Sequence, residues 1–290
     1  MQLSSTLPTS NLRRSPSERR EGVLPLRPAA QGGGFGSRPD GGAPAPSFRV
    51  DWAQSPADLE EAQRLRFKVF AGETGARLQV PEDSPDACDV DRFDPFCEHL
   101  LVRVTSGPQR GEVIATCRVL TPCGALRAGR LYTDTEFDLD PLRDLLPRAL
   151  EMGRVCVEPA WRNGLVVMAL WRELGKRMAE QNLETLIGCA SIGLQDGGDA
   201  AAGLWHLLKR THLVATARRV RPWKALTLRA DGEKMAVAVP PLIKAYLRCG
   251  GKLLGPPAID ADFNTADFPM LMHLGDLPSR YGKRIFGASA

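Results

Sequence analysis

The chain has 290 residues and a mass of 31.6 kDa, which is room for one large domain or two small ones and a core burying roughly 70–75% of the unfolded surface. Hydrophobic residues make up 43% and charged residues 25%, the proportions of a soluble globular protein. The longest unbroken apolar run, Leu165–Trp171, falls far short of the roughly 20 residues that cross a bilayer, which excludes a membrane-spanning helix. Most of the net charge of +4 belongs to residues 1–46, where six Arg face Glu18, Glu21 and Asp40. The other 244 residues carry 32 basic and 31 acidic side chains, which excludes a dedicated nucleic-acid binder with a broad basic face.

Seven cysteines without a CxxC pair read as reduced, mostly buried thiols of a cytoplasmic protein rather than as a disulfide framework. Only four His are present and none is spaced with Cys as a ligand pair, so no metal centre is expected.

Residues 1–46 hold seven Gly, seven Pro and six Ser. Such a segment buries too little apolar surface to offset its ordering entropy and reads as a disordered tail. Its Arg pairs interrupt any secretory signal, and they are available for peripheral contact with an anionic membrane surface, the alternative being a solvated tail. Residues 47–290 read as one domain. Phe48–Trp52 alternates like a half-buried strand. Ser55, Pro56 and Asp58 then start a helix with a capping box, which runs through Leu65 and Phe70 and ends at Gly72 and Gly75. Pro81–Pro95 is an acidic loop with Asp83, Asp86, Asp89, Asp91 and Asp94. Glu98–Thr105 and Glu112–Leu120 form a hairpin across Ser106-Gly107-Pro108. Next come a strand at Gly153–Glu158, a helix from about Asn163 to Gln181 and a strand at Thr185–Cys189. A helix at Ala201–Arg210, a strand-like Lys224–Arg229 and a helix at Pro240–Cys249 follow. Gly255–Phe268 and Tyr281–Phe286 close the chain. The order implies one α/β domain on a mixed, largely antiparallel sheet flanked by helices.

Four places carry candidate chemistry. Glu151, beside a strand, suits a general base, and Arg154 suits orientation of that base or of a substrate carboxylate; the alternative is a surface ion pair. Arg66 and Phe70 share a helix face at i,i+4, so Arg66 either aims at a pocket or lays its stem over the core edge. Asp91 and Asp94 either receive a cationic substrate or belong to a solvated loop. Arg118 lies inside an apolar strand and needs a partner if buried, with Glu151 one option. His99 reads as structural. Nucleophile elbows, Walker A, His-Glu-x-x-His and Gly-x-Gly-x-x-Gly are all missing.

Together, Arg66-x-x-x-Phe70, Asp91-x-x-Asp94, Arg118 and Glu151-x-x-Arg154 resemble, in order and spacing, the acyl-homoserine-lactone synthases of the GNAT superfamily. The match departs at Ala76, where that family has a tryptophan, which turns the reading away from homoserine-lactone synthesis. The chain more closely resembles the bacterial ornithine acyltransferases of ornithine-lipid synthesis, sometimes labelled hemolysin-like. Arg66–Phe70, Phe96–Val102, Glu151–Val157, Pro240–Arg248 and Gly255–Phe268 carry that likeness. The resemblance implies a GNAT-like fold and transfer of a 3-hydroxyacyl group from acyl carrier protein to the α-amine of ornithine, giving lyso-ornithine lipid. It implies no resident cofactor, the donor being acyl-phosphopantetheine on its carrier. It also implies Glu151 as base and Arg66, Phe70, Asp91, Asp94, Arg118 and Arg154 as active-site residues, with backbone around Val155, Cys156 and Val157 holding the thioester and pantetheine arm.

The phosphate-binding turn of coenzyme A-dependent relatives is here Arg162-Asn163-Gly164-Leu165-Val166, with a single Gly, which favours the carrier protein as donor. Arg162, Arg172, Lys176 and Arg177 are its expected docking patch, or else a solvated helix face. Asp260, Asp262 and Asp267 are unranked partners for the acceptor's side-chain amine. Two alternatives stand beside this reading: a relative using acyl-CoA or another amine, and a non-catalytic membrane-active protein, against which the chain shows no amphipathic segment of membrane length.

Overall fold

The computed structural model describes residues 47–78, 87–162, 164–228, 237–279 and 282. The expected disordered tail, Asp83, Asp86 and most of 281–286 lie outside these residues. β1 (Phe48–Trp52) leads into α1 (Pro56–Val69). The start of α1 is the reciprocal box that its sequence encodes: Ser55 Oγ accepts from the Asp58 amide at 3.2 Å, and the Asp58 carboxylate accepts from the Ser55 amide at 3.1 Å. The helix does not stop at Phe70. It widens into a π-helical turn, Phe70–Thr74, which Gly75 closes at φ +70°.

Beyond a tight turn at Asp94–Phe96 come β2 (Glu98–Val104), β3 (Val113–Leu120), α2 (Pro122–Ala128), β4 (Phe137–Asp138) and β5 (Ala149–Val157). Then follow α3 (Leu165–Glu180), β6 (Thr185–Gly193), α4 (Asp199–Leu208), β7 (Arg221–Pro222) and α5 (Pro241–Arg248). β8 (Lys252–Leu253), β9 (Ala258–Asp260) and β10 (Thr265–His273) complete the fold.

Strands line up as β1-β2-β3-β5-β6-β10-β8, with β9 also on β10, and every pairing in this sheet is antiparallel except β5 with β6. Neighbouring residues of each strand enter different cores. Val119, Leu186 and Met270 join the cluster built around Leu170, Leu174 and Met178 of α3, while Leu120, Ile187 and Leu271 join Phe93, Phe137 and Leu142. The sheet is therefore buried on both faces, as the period of two dictates.

Two expectations shift. β5 begins at Ala149 rather than Gly153, because Glu151 is an inward side chain of the strand and not a loop charge before it. No strand forms at 224–228; β7 pairs with β4 just upstream, Pro222 lacks a donor to extend it, and Ala225 makes only a lone bridge to Ala258. The C-terminal stretch, in turn, is central. β10 pairs with β6 along nine residues, from Thr265↔Gly193 to His273↔Thr185.

Two irregularities shape the middle of the sheet. β5 and β6 pair only at Ala149↔Thr185, Leu150↔Leu186 and Glu151↔Ile187, and then part. Gly188 makes the last contact possible, since a Cβ there would strike the Met152 carbonyl. On its other edge β5 bulges: Arg118 faces Gly153 and Thr116 faces Cys156, so three steps on β5 oppose two on β3, and Arg154 takes up the difference at φ +50°.

Candidate active site

The parted strands open onto two adjoining cavities. One, of about 60 Å³, is lined by Arg118, Tyr132, Thr133, Glu151 and Arg154 among others. The other, of about 210 Å³, runs past Phe70, Arg154, Val155, Tyr246, Phe263 and Asp267. In a regular strand Glu151 and Arg154 would face opposite sides; the bulge turns both toward this space.

Glu151 is buried and does not pair with Arg154. Its Oε1 accepts from the Thr133 amide at 2.6 Å and the Thr133 hydroxyl at 2.5 Å, and its Oε2 accepts from the Tyr132 amide at 2.7 Å. Burial raises its pKa, and these three donors only partly offset the shift. The result is a carboxylate fixed in place and closer to accepting a proton than an exposed one.

Three Arg and three Asp interlock beside it. Arg66, fully buried, donates from Nε to Asp89 at 2.8 Å, from Nη1 to Asp94 Oδ1 at 3.0 Å and from Nη2 to Asp94 Oδ2 at 2.9 Å; Nη2 also reaches the Asp89 carbonyl. Arg118 Nη1 meets Asp91 at 2.6 Å and Asp94 at 3.0 Å. Arg154 meets Asp89 at 3.2 Å and Asp91 at 3.0 Å. Burial works against the Asp94 charge, but the Arg66 hydrogen bonds and the charges of Arg66 and Arg118 outweigh it and hold that carboxyl well below its usual range. Asp91 is lowered in the same way, burial being overcome by Arg118 and Arg154. The Arg154 guanidinium also lies over the rings of Tyr132 and Phe263, at 4.8 and 4.3 Å.

On the other side of Tyr132 sits a second acidic group. Tyr132 Oη donates to Asp260 at 3.2 Å, and the Thr265 hydroxyl donates to Asp267 at 2.8 Å. Ligand atoms of Glu136, Cys189 and Asp267 lie within 4.8 Å of one another.

Comparison with known proteins completes the picture. Residues 65–172 match the model of the acetyltransferase (GNAT) domain. The L-ornithine N(alpha)-acyltransferase of Rhodobacter capsulatus is 35% identical over 236 residues, covering 78% of this chain and 90% of its own. The L-ornithine N(alpha)-acyltransferase of Brucella abortus is 32% identical over 252 residues, covering 81% and 87%. The chain belongs to the L-ornithine N(alpha)-acyltransferase family. It is an acyltransferase with the GNAT fold. Among solved structures, the AHL synthase LasI aligns over 85% of this chain and 98% of its own, with a TM-score of 0.49 at 13% identity.

In this member of the family, Arg66, Asp91, Asp94, Arg118 and Arg154 come together in one network, and Phe70 stands at the larger cavity, edge-on to Phe263 at 5.5 Å. Glu151 stands apart on its own anchors. Val155 lines the cavity, whereas the Cys156 side chain packs against Leu65 and Val69, and Val157 belongs to the main core. His99 is buried, and burial pushes its pKa down to about 4, so the ring is neutral. The expected docking charges on and just before α3 are largely engaged: Arg162 with Glu73 at 2.6 Å, Lys176 with Glu173 at 2.7 Å and Arg177 with Glu98 at 3.2 Å. Sequence reasoning passed over Asp89, Tyr132, Thr133 and Glu136. Asp89 looked like its loop neighbours, and Tyr132–Glu136 reads as a polar turn with no periodic signal. Of the three C-terminal acids, Asp260 and Asp267 turn inward, while Asp262 is exposed.

Proposed function

We propose that this chain transfers a 3-hydroxyacyl group from acyl carrier protein to the α-amine of ornithine, forming lyso-ornithine lipid. The observation that carries the reading is the buried carboxylate of Glu151 at the point where β5 and β6 part, in a chain whose relatives bear the ornithine acyltransferase name. An ammonium is not a nucleophile. Glu151 takes its proton, directly or through a water, and the freed amine attacks the thioester carbonyl. The N–C bond forms, the C–S bond breaks, and the phosphopantetheine thiol leaves with a proton.

The unpaired edge of β5 at Gly153–Val155 offers backbone N–H groups to the thioester oxygen and the pantetheine arm. Arg154, lining both cavities, meets the acceptor carboxylate. Arg66, Asp91, Asp94 and Arg118 hold Arg154 and the wall around it, and Phe70 borders the acyl path. Gly164, at φ +82°, opens the 16-residue helix α3, and the positive end of that helix's dipole is where the single phosphate of phosphopantetheine would lie. The reaction belongs in the cytoplasm with peripheral membrane contact, where its amphiphilic product is delivered. Among the described residues no helix is long and apolar enough to cross a membrane.

The test is reconstitution. Purified protein is given labelled ornithine with either 3-hydroxyacyl carrier protein or the matching acyl-CoA, and products are read by mass spectrometry. An α-N-acyl ornithine formed from the carrier-bound donor supports the reading. Transfer from acyl-CoA alone, or none to ornithine, overturns it.

A further inference from the structure

The acids beyond Tyr132 are odd in one respect. Buried carboxylates are normally paired with a cation, as Asp89, Asp91 and Asp94 are. Asp267 is only 4% exposed and, among the described residues, its hydrogen-bond partners are the hydroxyls of Thr265 and Ser191. Glu136 Oε1 is buried and finds no hydrogen-bond partner among the described residues. Asp260 accepts from the Tyr132 hydroxyl and from the amides of Asp262 and Phe263. Among the described residues, no Lys or Arg comes within ion-pair distance of any of the three. Burial and repulsion from neighbouring acids push Glu136 up to about 9 and Asp267 up to about 6, so near neutral pH the empty group keeps a proton on Glu136 that an incoming cation would displace.

The cavity of about 210 Å³ reaches Asp260 and Asp267 from the Arg154 side, and another of about 190 Å³ reaches Glu136 and Asp260 from the Trp223 side. That space suits an organic cation. A metal ion fits less well: the third donor is Cys189, whose thiol burial pushes well above its ordinary value, so it presents S–H and not a thiolate. The group is also within reach of the base. Glu151 touches the Thr133 hydroxyl at 2.5 Å, which lies 3.8 Å from the Cys189 sulfur, itself 3.6 Å from Glu136 Oε2. A diamino acid hydrogen-bonded at both ends spans that separation.

On the functional reading above, we infer that Glu136, Asp260 and Asp267 form the subsite for the cationic end of the acceptor and select an amino acid that carries a second ammonium. The α-amine then faces Glu151, the carboxylate faces Arg154, and the side-chain ammonium is the missing counter-ion of the acids.

Ornithine is compared with norvaline, which has the same α-amine and carboxylate and no second amine. Both are supplied with the carrier-bound donor to the wild-type chain, to Glu136→Gln and to Asp267→Asn. Wild-type kcat/KM favours ornithine, by on the order of 10⁴ for a site built around a polar group. In each variant that ratio falls by at least about tenfold, mainly through the KM for ornithine. Calorimetry of ornithine binding to the wild-type chain, in buffers of different ionisation enthalpy, shows proton release, and this readout needs no variant to fold. Equal use of the two amino acids by the wild type, an unchanged ratio in both variants, or binding without proton release overturns the subsite. So does activity that a chelator removes and zinc restores with the ratio unaltered. A wild-type chain that acylates neither amino acid overturns the functional reading, and the subsite with it.

Discussion

Replacing Glu151 by Gln separates its two roles, anchor and base. Oε1 receives both Thr133 donors and Oε2 receives the Tyr132 amide. A glutamine amide has one oxygen to give, so whichever way it turns, its NH2 meets a buried N–H. Leaving one buried donor unsatisfied costs about 1–3 kcal/mol, and in a domain of this size each kcal/mol lowers Tm by roughly 2–4 °C. Losing a positioned general base lowers kcat by about 10²–10⁴. The assay pairs a thermal melt with initial rates of ornithine acylation, run well below the variant's Tm. The expected result is a folded chain, a few degrees less stable, with at least a hundredfold lower kcat. A folded Glu151→Gln chain within threefold of wild type refutes the argument. Thr133→Val supplies a check that a structural role would not move. Removing the hydroxyl donor disfavours the carboxylate, so the Glu151 pKa, already raised by burial, rises further and the acid limb of the pH–rate profile moves to higher pH. A limb that stays in place denies Glu151 the proton.

Asp94→Asn leaves Arg66 and Arg118 short of a counter-ion and destabilises the chain by about 3–5 kcal/mol, measured by urea unfolding at neutral pH. Because folding lowers the Asp94 pKa, its stabilisation is present above the ordinary carboxylate value of about 3.9 and is lost as pH falls below it, so wild type and variant converge in acid. Arg118→Ala and Arg154→Ala each cut acyl transfer in steady-state assays; wild-type kinetics in both would remove the network from the site. Gly188→Ala forces β5 and β6 apart at their last contact and lowers Tm, whereas Gly153→Ala, with open space at its Cβ, keeps its melting point. Deleting residues 1–46 leaves the acylation rate unchanged, since β1 begins its ladder at Phe48↔Val104.

Much of the fold is local and was readable for that reason. The capping box at Ser55, the hairpin around Gly107 and the apolar face of α3 each carry their own signal. The site was legible as residue types but not as partnerships. Asp89, Asp91 and Asp94 look solvated in a loop of charges, and only the approach of α1, β3 and β5 supplies three guanidinium groups to bury them. Arg118 was flagged because it interrupts an apolar strand. The same rule marks Asp267, set in the run from Ala266 to Met272. Glu151 and Arg154 were paired on paper because they are close in sequence, yet a bulge that no residue pattern announces sends them to different partners. Glu136 gave no warning, since its burial comes from β6 and β10, far along the chain.

The interlocked arginines and aspartates have a consequence for how the protein tolerates change. Arg66, Asp89, Asp91, Asp94, Arg118 and Arg154 share their partners, so the loss of any one alters the surroundings of the others, and single-site effects will not add. A second replacement in an already broken network should do little further harm, and a charge swap can succeed only if both sides change together. Six positions spread along the chain thus form one heritable trait, kept or lost as a set.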